Sequence, residues 1–92
     1  MEKAIKLIIT EEASEFSQES NATMENYNIT PAFCSKDGEE LLNRIKAEQP
    51  DVVLMDSFMT RLDAIGVMRS VRRDKLKAPL FIVFSSFHNA IL

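Results

Sequence analysis

The sequence predicts an α/β fold in which four parallel strands alternate with three helices. Short apolar runs stand at residues 4–9, 28–34, 51–55 and 80–84, and segments with helical spacing separate them. The last two runs are apolar at four or five consecutive positions, which is typical of parallel strands covered on both faces. Strands and helices that alternate in this way wind into a parallel sheet through right-handed crossovers.

The first strand and the first helix come before residue 27. Residues 4–9, AIKLII, are rich in β-branched side chains and predict a strand. A polar segment then runs to about Asn26, and four of its side chains fall on one side at helical spacing: Ala13, Phe16, Ser20 and Met24. The pattern predicts a helix with a weakly apolar face.

The second strand, residues 28–34, contains Pro31, which cannot donate a hydrogen bond to a neighbouring strand. Because proline in a sheet is tolerated mainly on edge strands, we expect this strand at the edge. Asp37 stands three residues before Glu40, in the manner of a capping box, and predicts the start of the second helix. That helix is expected to bury Leu41, Leu42 and Ile45 and to end before Pro50.

The third strand, residues 51–55, is expected to end at Asp56. The third helix is marked by apolar residues at helical spacing, namely Leu62, Ile65, Met68 and Val71. A basic segment follows, and Pro79 precedes LFIVF, the fourth strand, which ends at Ser85 and Ser86.

Size and charge limit the function classes. Ninety-two residues make at most one small domain, spanning 1–92. A net charge of −3 argues against non-specific binding of nucleic acid or anionic membranes by this chain. The single cysteine, Cys34, excludes an internal disulfide and a cysteine-based zinc site. No apolar run approaches the ~20 residues of a membrane span, and the N-terminus does not have the pattern of a signal peptide. We expect a cytoplasmic protein.

The polar residues at the strand ends are the candidate site, because ligands of parallel sheets bind at the carboxyl ends of the strands. Strand one delivers Thr10, Glu11 and Glu12, strand three delivers Asp56, and strand four delivers Ser85 and Ser86. If strands one and three are neighbours, three carboxylates converge beside a hydroxyl group. Such a cluster repels itself unless a cation is present, and its hard oxygen ligands suit Mg²⁺. A metal-neutralised aspartate can attack phosphorus to give an acyl phosphate.

Each candidate residue also has a simpler interpretation. Glu11 and Glu12 are also explained as first-turn acids that complement a helix dipole, and Asp56 as a turn or cap residue. Asp63 is better explained as a helix N-cap than as a ligand. Ser85 is also explained as an ordinary loop residue, and His88 as a surface residue. The basic set is best explained as a solvated helix face: Arg69, Arg72, Arg73, Lys75 and Lys77.

The chain resembles, over its whole length, the receiver domain of two-component response regulators. Glu11 and Glu12 match the paired acids after strand one, and residues 35–41 match the start of helix two. Residues 50–56, PDVVLMD, match the strand whose last residue is the phospho-acceptor. Met59 and Asp63 fall where M-P-x-x-[DN]-G is expected, and Ser85 and Ser86 fall where [TS]-[AS] ends strand four. Within the family, the stage-zero sporulation transcription regulators of endospore-formers look closest.

The resemblance implies a three-layer, flavodoxin-like (CheY-like) receiver fold with strand order 2-1-3-4, lacking the last helix-strand-helix. It implies that Asp56 accepts a phosphoryl group from a histidine on a partner kinase or phosphotransferase. Glu11, Glu12 and Asp56, with the backbone carbonyl of Phe58, would hold Mg²⁺, and Ser85 would be the switch hydroxyl. The output would be transcription, in sporulation if the narrower match holds.

Several positions depart from the family pattern. Two glutamates replace the usual aspartates, Thr60 stands where proline is expected, and Ala64 stands where glycine is expected. Alanine is disfavoured if that position needs a positive φ. The family's fifth strand, with a lysine that contacts the phosphate, is not within the 92 residues. The chain is therefore expected to be either a fragment of a longer regulator or a degenerate receiver.

Two alternatives to a phospho-accepting receiver, and one expected assembly, remain. A degenerate receiver would act as a phosphorylation-independent dimerisation or partner-docking module. The apolar LFIVF strand is expected to form an exposed edge through which the chain makes a homodimer. A small phosphatase or phosphotransferase ranks last: Phe58, not an aspartate, lies two residues past Asp56, and Arg61 is the one cation assigned to the loops after strands. We therefore expect a signalling domain and not an enzyme.

Overall fold

Four strands and three helices alternate along residues 3–11 and 18–85, the part of the chain that the computed structural model describes. The elements, in chain order, are β1 (Ile5–Ile9), α1 (Gln18–Asn26), β2 (Ile29–Phe33), α2 (Gly38–Glu48), β3 (Val52–Asp56), α3 (Ala64–Arg73) and β4 (Leu80–Phe84). The predicted alternation of strands and helices is confirmed. Ala13 and Phe16, which were expected in the first helix, lie outside the described residues.

The strands form one parallel sheet in the order β2-β1-β3-β4, as the resemblance implied. The chain moves in one direction across the sheet through α1 and in the opposite direction through α2 and α3. Since crossovers between parallel strands are right-handed, α1 lies on one face and the other two helices lie on the other. The molecule therefore has three layers.

The core lies between the sheet and the helices α2 and α3. Ile8, Val53 and Met55 of the central strands are at most 1% exposed, and they form one cluster with side chains from both helices. Leu41 and Ile45 supply the α2 side of this cluster, and Val67 and Val71 supply the α3 side. Each such buried side chain stabilises the fold by about 1.5–3 kcal/mol.

The predictions for β2 and for the start of α2 are confirmed. Pro31 lies on an edge strand, because β2 pairs with β1 alone in the part of the chain that the structure describes. Asp37 caps α2, and its side chain accepts hydrogen bonds from the backbone amides of Glu39 and Glu40. The carboxylate of Glu40 accepts a hydrogen bond from the Ser35 hydroxyl. The first turn of α2 is therefore also hydrogen-bonded to the loop after β2.

The predicted buried face of α3 is wrong in part. The helix buries Ala64, Val67 and Val71, whereas Ile65 is 56% exposed. Asp63 caps the helix, so Leu62 lies before the first turn. Side chains that share a helix face are three or four residues apart, and the face that starts at Ala64 turns Ile65 away from the sheet.

The prediction that β3 and β4 are covered on both faces is also wrong. Along β3, half-buried Val52 and Leu54 alternate with buried side chains. In β4, Leu80, Ile82 and Val83 are 62%, 46% and 44% exposed. Among the described strands, β4 lies at an edge and pairs with β3 alone, and Phe81 is the one described β4 residue that packs against the core cluster. The expectation of an exposed apolar edge is confirmed. No helix within residues 3–11 and 18–85 is long and apolar enough to cross a membrane.

Candidate functional site

Three strand ends meet at one edge of the sheet. Ile9 of β1 is aligned with Leu54 of β3, and Asp56 of β3 is aligned with Phe84 of β4. The residues that follow, Thr10, Glu11 and Ser85, are therefore brought to the same edge as Asp56, as the sequence predicted. The backbone amide of Ser57 donates a hydrogen bond to the carbonyl of Phe84 at 2.7 Å, which joins the ends of β3 and β4.

Asp56 is a completely buried carboxylate at the end of β3, with 0% exposure. Its Oδ1 accepts a hydrogen bond of 3.0 Å from the backbone amide of Phe58. Its own amide donates to Oγ1 of the buried Thr10 at 2.9 Å. Burying a carboxylate costs several kcal/mol or more unless it is paired and hydrogen-bonded. The contacts of Asp56 therefore fix its position and offset part of that cost.

Lys36 places a positive charge beside the carboxylate of Asp56. Its Nζ lies 3.3 Å from Oδ2 of Asp56, and the lysine side chain is 41% exposed while the aspartate side chain is 1% exposed. Lys36 belongs to the loop between β2 and α2. The assignment of Arg61 as the one cation in the loops after strands is therefore wrong, because Lys36 follows strand two.

The loop after β2 is hydrogen-bonded to the loop after β3. The Thr60 amide donates to the carbonyl of Lys36 at 2.9 Å, and the Thr60 hydroxyl donates to the same carbonyl at 3.1 Å. The amide of Gly38 in turn donates to the carbonyl of Thr60 at 3.0 Å. This short parallel bridge fixes the backbone that carries Lys36. Thr60 stands where the resemblance expects proline, which has no amide hydrogen to donate.

An ion pair reinforces the bridge. Nε of Arg61 donates to Oδ2 of Asp37 at 2.8 Å, and Nη1 of Arg61 lies 2.8 Å from a carboxylate oxygen of Glu39. The hydrogen bond from Arg61 is the main reason why the pKa of Asp37 is lowered, and the two amide donors of α2 add to it. The two loops also approach closely at Gly38, where a Cβ atom would lie 1.8 Å from the carbonyl oxygen of Leu62.

The left-handed residue of the loop after β3 is Arg61, with φ of 65°. Ala64 instead begins α3 and is 3% exposed. The substitution of alanine for the expected glycine therefore has no cost from a positive φ at this position. Asp63 accepts a hydrogen bond from the amide of Gly66 at 2.8 Å, which confirms its simpler interpretation as an N-cap.

The predicted magnesium ligands are only partly within the described residues. Glu11 is half-buried at the end of β1, whereas Glu12 lies outside the described residues, as do Ser86 and His88. Among residues 3–11 and 18–85, no three His, Cys, Asp or Glu side chains are grouped so that they could hold a metal. The described oxygen donors, Glu11 and Asp56, are nevertheless of the kind that Mg²⁺ takes. The predicted ligand set stays a prediction.

The sheet order, together with a buried aspartate at the end of β3, is the arrangement that the resemblance attributes to response-regulator receivers. Solved structures with this fold include the signal receiver domain of the putative response regulator NarL from Mycobacterium tuberculosis (TM-score 0.74, 22% identity, 98% of this chain and 73% of that one). The receiver domain of the Francisella response regulator 1452 is also similar (TM-score 0.68, 23% identity, 95% and 70% of the two chains).

Sequence relatives point to the same class. The alkaline phosphatase synthesis transcriptional regulatory protein PhoP of Bacillus subtilis is 31% identical over 70 residues, or 72% of this chain. The probable transcriptional regulator ycf27 of Guillardia theta is 41% identical over 69 residues, or 74% of this chain. No family model matches the chain. The alignments span 29% and 26% of the lengths of these two relatives. The chain is a receiver domain of the response-regulator family.

Proposed function

We propose that the chain accepts a phosphoryl group on Asp56 from a phosphohistidine of a partner histidine kinase or phosphotransferase. The observation that carries this proposal is the fixed carboxylate at the end of β3. Asp56 is 0% exposed, yet its carboxylate is paired on both sides. Oδ1 accepts a hydrogen bond from the Phe58 amide, and Oδ2 forms an ion pair with the ammonium group of Lys36. The amide and the ammonium group hold the carboxylate in a fixed position, and a carboxylate can act as the nucleophile of a phosphoryl transfer.

The transfer itself is a displacement at phosphorus. A carboxylate oxygen of Asp56 forms a bond to phosphorus, while the bond from phosphorus to the histidine nitrogen breaks and its electron pair stays on the imidazole. The product is an acyl phosphate, and the chain accepts one group from each donor without turning over a substrate. This role is that of a signalling domain and not of an enzyme.

Magnesium is the proposed cofactor. Glu11, Glu12 and Asp56 would hold it with the backbone carbonyl of Phe58. When bound, Mg²⁺ neutralises charge on the phosphoryl oxygens and orients them for attack. The carboxylate of Asp56 is shared between this role and its ion pair with Lys36.

Ser85 is the proposed switch residue. It follows β4 directly, at the strand end that is hydrogen-bonded to the residue after Asp56. A phosphoryl group adds about −1.5 to −2 charges and three acceptor oxygens. A hydroxyl that moves toward these oxygens couples phosphorylation to the position of β4.

We further propose that the output is transcription and that the domain works in the cytoplasm. The names of the relatives PhoP and ycf27 describe transcriptional regulators, and this chain matches about a quarter of their length. A net charge of −3 does not favour direct DNA binding by this segment. A sporulation output rests on the narrower sequence resemblance alone.

A homodimer through β4 is the proposed oligomeric state. Leu80 and Ile82 are exposed on one face of an edge strand whose outer hydrogen-bonding side faces away from β3. Pairing of two such edges would bury apolar surface and satisfy backbone groups. Sedimentation of the wild type and of Ile82→Lys tests this. We expect a dimer that the charged side chain dissociates, and a wild-type monomer at all concentrations would contradict it.

Intact-mass measurement after incubation with acetyl phosphate and Mg²⁺ tests the main proposal. We expect the wild type to gain one phosphoryl group. Asp56→Asn should gain none, whereas Asp63→Asn, which changes the N-cap aspartate of α3, should still gain it. An unmodified wild type at high donor concentration would instead favour a receiver that works only as a docking module.

A further inference from the structure

We infer that Lys36, in the loop after β2, is the cation that holds the phosphoryl group on Asp56. This inference rests on the proposed acceptance of phosphate by Asp56 and assigns a further residue to that step. The resemblance placed a phosphate-contacting lysine only on a fifth strand. The described residues place a different lysine, from a different loop, against the acceptor carboxylate.

The exposure of the two partners supports this role. Nζ of Lys36 lies 3.3 Å from Oδ2 of Asp56, and the aspartate side chain is 1% exposed while the lysine side chain is 41% exposed. The lysine therefore reaches from the solvent, where a phosphoryl donor arrives, to the acceptor oxygen. A donor that approaches Asp56 from this side meets the ammonium group first.

Charge explains why a cation is needed at this place. The carboxylate and the incoming phosphoryl group are both anionic and repel each other at contact distance. An ammonium group beside the carboxylate offsets this repulsion as the donor approaches. In the product, the same ammonium group faces a phosphoryl group with about −1.5 to −2 charges, to which it donates charge-assisted hydrogen bonds.

The backbone of Lys36 is held in place by the neighbouring loop. Its carbonyl accepts hydrogen bonds from both the amide and the hydroxyl of Thr60, at 2.9 Å and 3.1 Å. The next residue, Asp37, forms an ion pair with Arg61, in which Nη2 of the arginine lies 2.6 Å from Oδ2 of the aspartate. Both partners come from the loop that follows Asp56, so the lysine and its target are fixed by the same segment.

The chemical step needs no proton from Lys36. A carboxylate oxygen of Asp56 bonds to phosphorus, and the bond from phosphorus to the donor atom breaks with its electron pair on the donor. With acetyl phosphate the leaving group is acetate. Lys36 stays an ammonium ion throughout and acts by its charge and its hydrogen bonds.

Binding of beryllofluoride, which mimics a phosphoryl group on aspartate, measures this role without chemistry. Fluorine NMR titrations at saturating Mg²⁺ would compare the wild type with Lys36→Gln and Lys36→Arg. We expect Lys36→Gln to bind about 10- to 100-fold more weakly, the range of a charge-assisted hydrogen bond. Lys36→Arg keeps the charge and should recover part of the affinity.

Lys46 offers a matched control. It is 43% exposed and forms an ion pair of 3.5 Å with Asp74, so Lys46→Gln removes an equally exposed, paired lysine remote from Asp56. We expect wild-type beryllofluoride affinity for this variant. The rate of acyl phosphate formation from acetyl phosphate should follow the same order: lowest in Lys36→Gln, intermediate in Lys36→Arg and unchanged in Lys46→Gln.

The outcomes separate the two proposals. A wild type that binds beryllofluoride and gains the phosphoryl group, with Lys36→Gln folded and unchanged in both, would overturn the role of Lys36 alone. A wild type that does neither would overturn the acceptance of phosphate by Asp56, and the role of Lys36 with it. Far-UV circular dichroism establishes that each variant is folded.

Discussion

The backbone amide of Thr60 donates a hydrogen bond to the carbonyl oxygen of Lys36, 2.9 Å away. This bond joins the loop after β3 to the backbone of the residue whose Nζ lies 3.3 Å from Oδ2 of Asp56. Proline, the residue that the resemblance leads one to expect at position 60, cannot make it. The threonine that replaces the expected proline therefore makes a hydrogen bond to the loop that carries Lys36, beside Asp56.

Thr60→Pro tests the bridge between the two loops. The variant removes both hydrogen bonds to the Lys36 carbonyl, whereas Thr60→Val removes only the hydroxyl. The Gly38 amide, which donates to Thr60, should exchange with deuterium about five- to tenfold faster in Thr60→Pro, as expected for the loss of about 1 kcal/mol of local stability. Equal protection of Gly38 in Thr60→Pro and Thr60→Val would contradict this account of the bridge.

Gly38→Ala tests the close approach of the loops. The new Cβ would lie 1.8 Å from the backbone oxygen of Leu62, so one loop must move. We expect the free energy of unfolding to fall by about 1–3 kcal/mol in urea denaturation. The matched variant Gly66→Ala would meet side-chain atoms and no backbone: Cδ1 and Cγ of Leu62 at 2.4 Å and 3.0 Å and Oδ1 of Asp63 at 3.1 Å. These side chains can shift more easily than a backbone carbonyl, and alanine favours the helix by about 0.5–1 kcal/mol. Two equally stable variants would argue against a tight contact at Gly38.

The pair between Asp37 and Arg61 predicts a dependence of stability on pH. The pKa of Asp37 is lowered in the folded chain, chiefly by the Arg61 hydrogen bond. The pair therefore stabilises the fold fully at pH values above the ordinary aspartate pKa of about 3.9. This contribution is lost as pH falls through the lower, folded pKa. The difference in unfolding free energy between wild type and Arg61→Gln should therefore be constant above about pH 5 and shrink toward acid.

Arg69→Gln is the control for this measurement, because Arg69 lies exposed on α3. The difference in unfolding free energy between Arg69→Gln and the wild type should not change with pH over the same acid range. If the difference for Arg61→Gln also stayed constant down to acid pH, the ion pair would not be the cause of the lowered pKa.

Removal of Lys36 should strengthen magnesium binding. The ammonium group lies 3.3 Å from Oδ2 of Asp56, which is a proposed metal-binding residue. A cation bound to the same carboxylate would be repelled by the positive charge of Lys36. Calorimetric titration of Lys36→Gln with Mg²⁺ should give an affinity severalfold higher than that of the wild type. Lys46→Gln should match the wild type, and a lower affinity in Lys36→Gln would show that the lysine does not compete with the metal.

The arrangement of the strands could be predicted from the sequence because it depends on local patterns. Apolar runs mark the strands, Pro31 marks an edge, and Asp37 and Asp63 mark helix starts. The position of Asp56 at the strand end follows from the same patterns. Each of these features is decided by residues close together in the chain.

The errors concern contacts between distant residues. Lys36 and Asp56 are twenty positions apart, and no local pattern indicates that a basic loop residue turns toward the acceptor. The exposure of Leu80 and Ile82 depends on what packs beside β4 and not on the apolar run itself. The buried face of α3 was misplaced because apolar spacing alone does not show which side of the helix contacts the sheet; that side carries Ala64, Val67 and Val71 and leaves Ile65 exposed.

The most direct test of the central claim is to locate the phosphoryl group after reaction with acetyl phosphate and Mg²⁺. Borohydride reduces an aspartyl phosphate to homoserine, and tandem mass spectrometry of peptides then identifies the modified position. We predict homoserine at position 56 in the wild type and in Lys46→Gln, with a smaller yield at equal times in Lys36→Gln. Reduction products at Glu11 or Asp63, with Asp56 unmodified, would contradict the assignment of Asp56 as the acceptor.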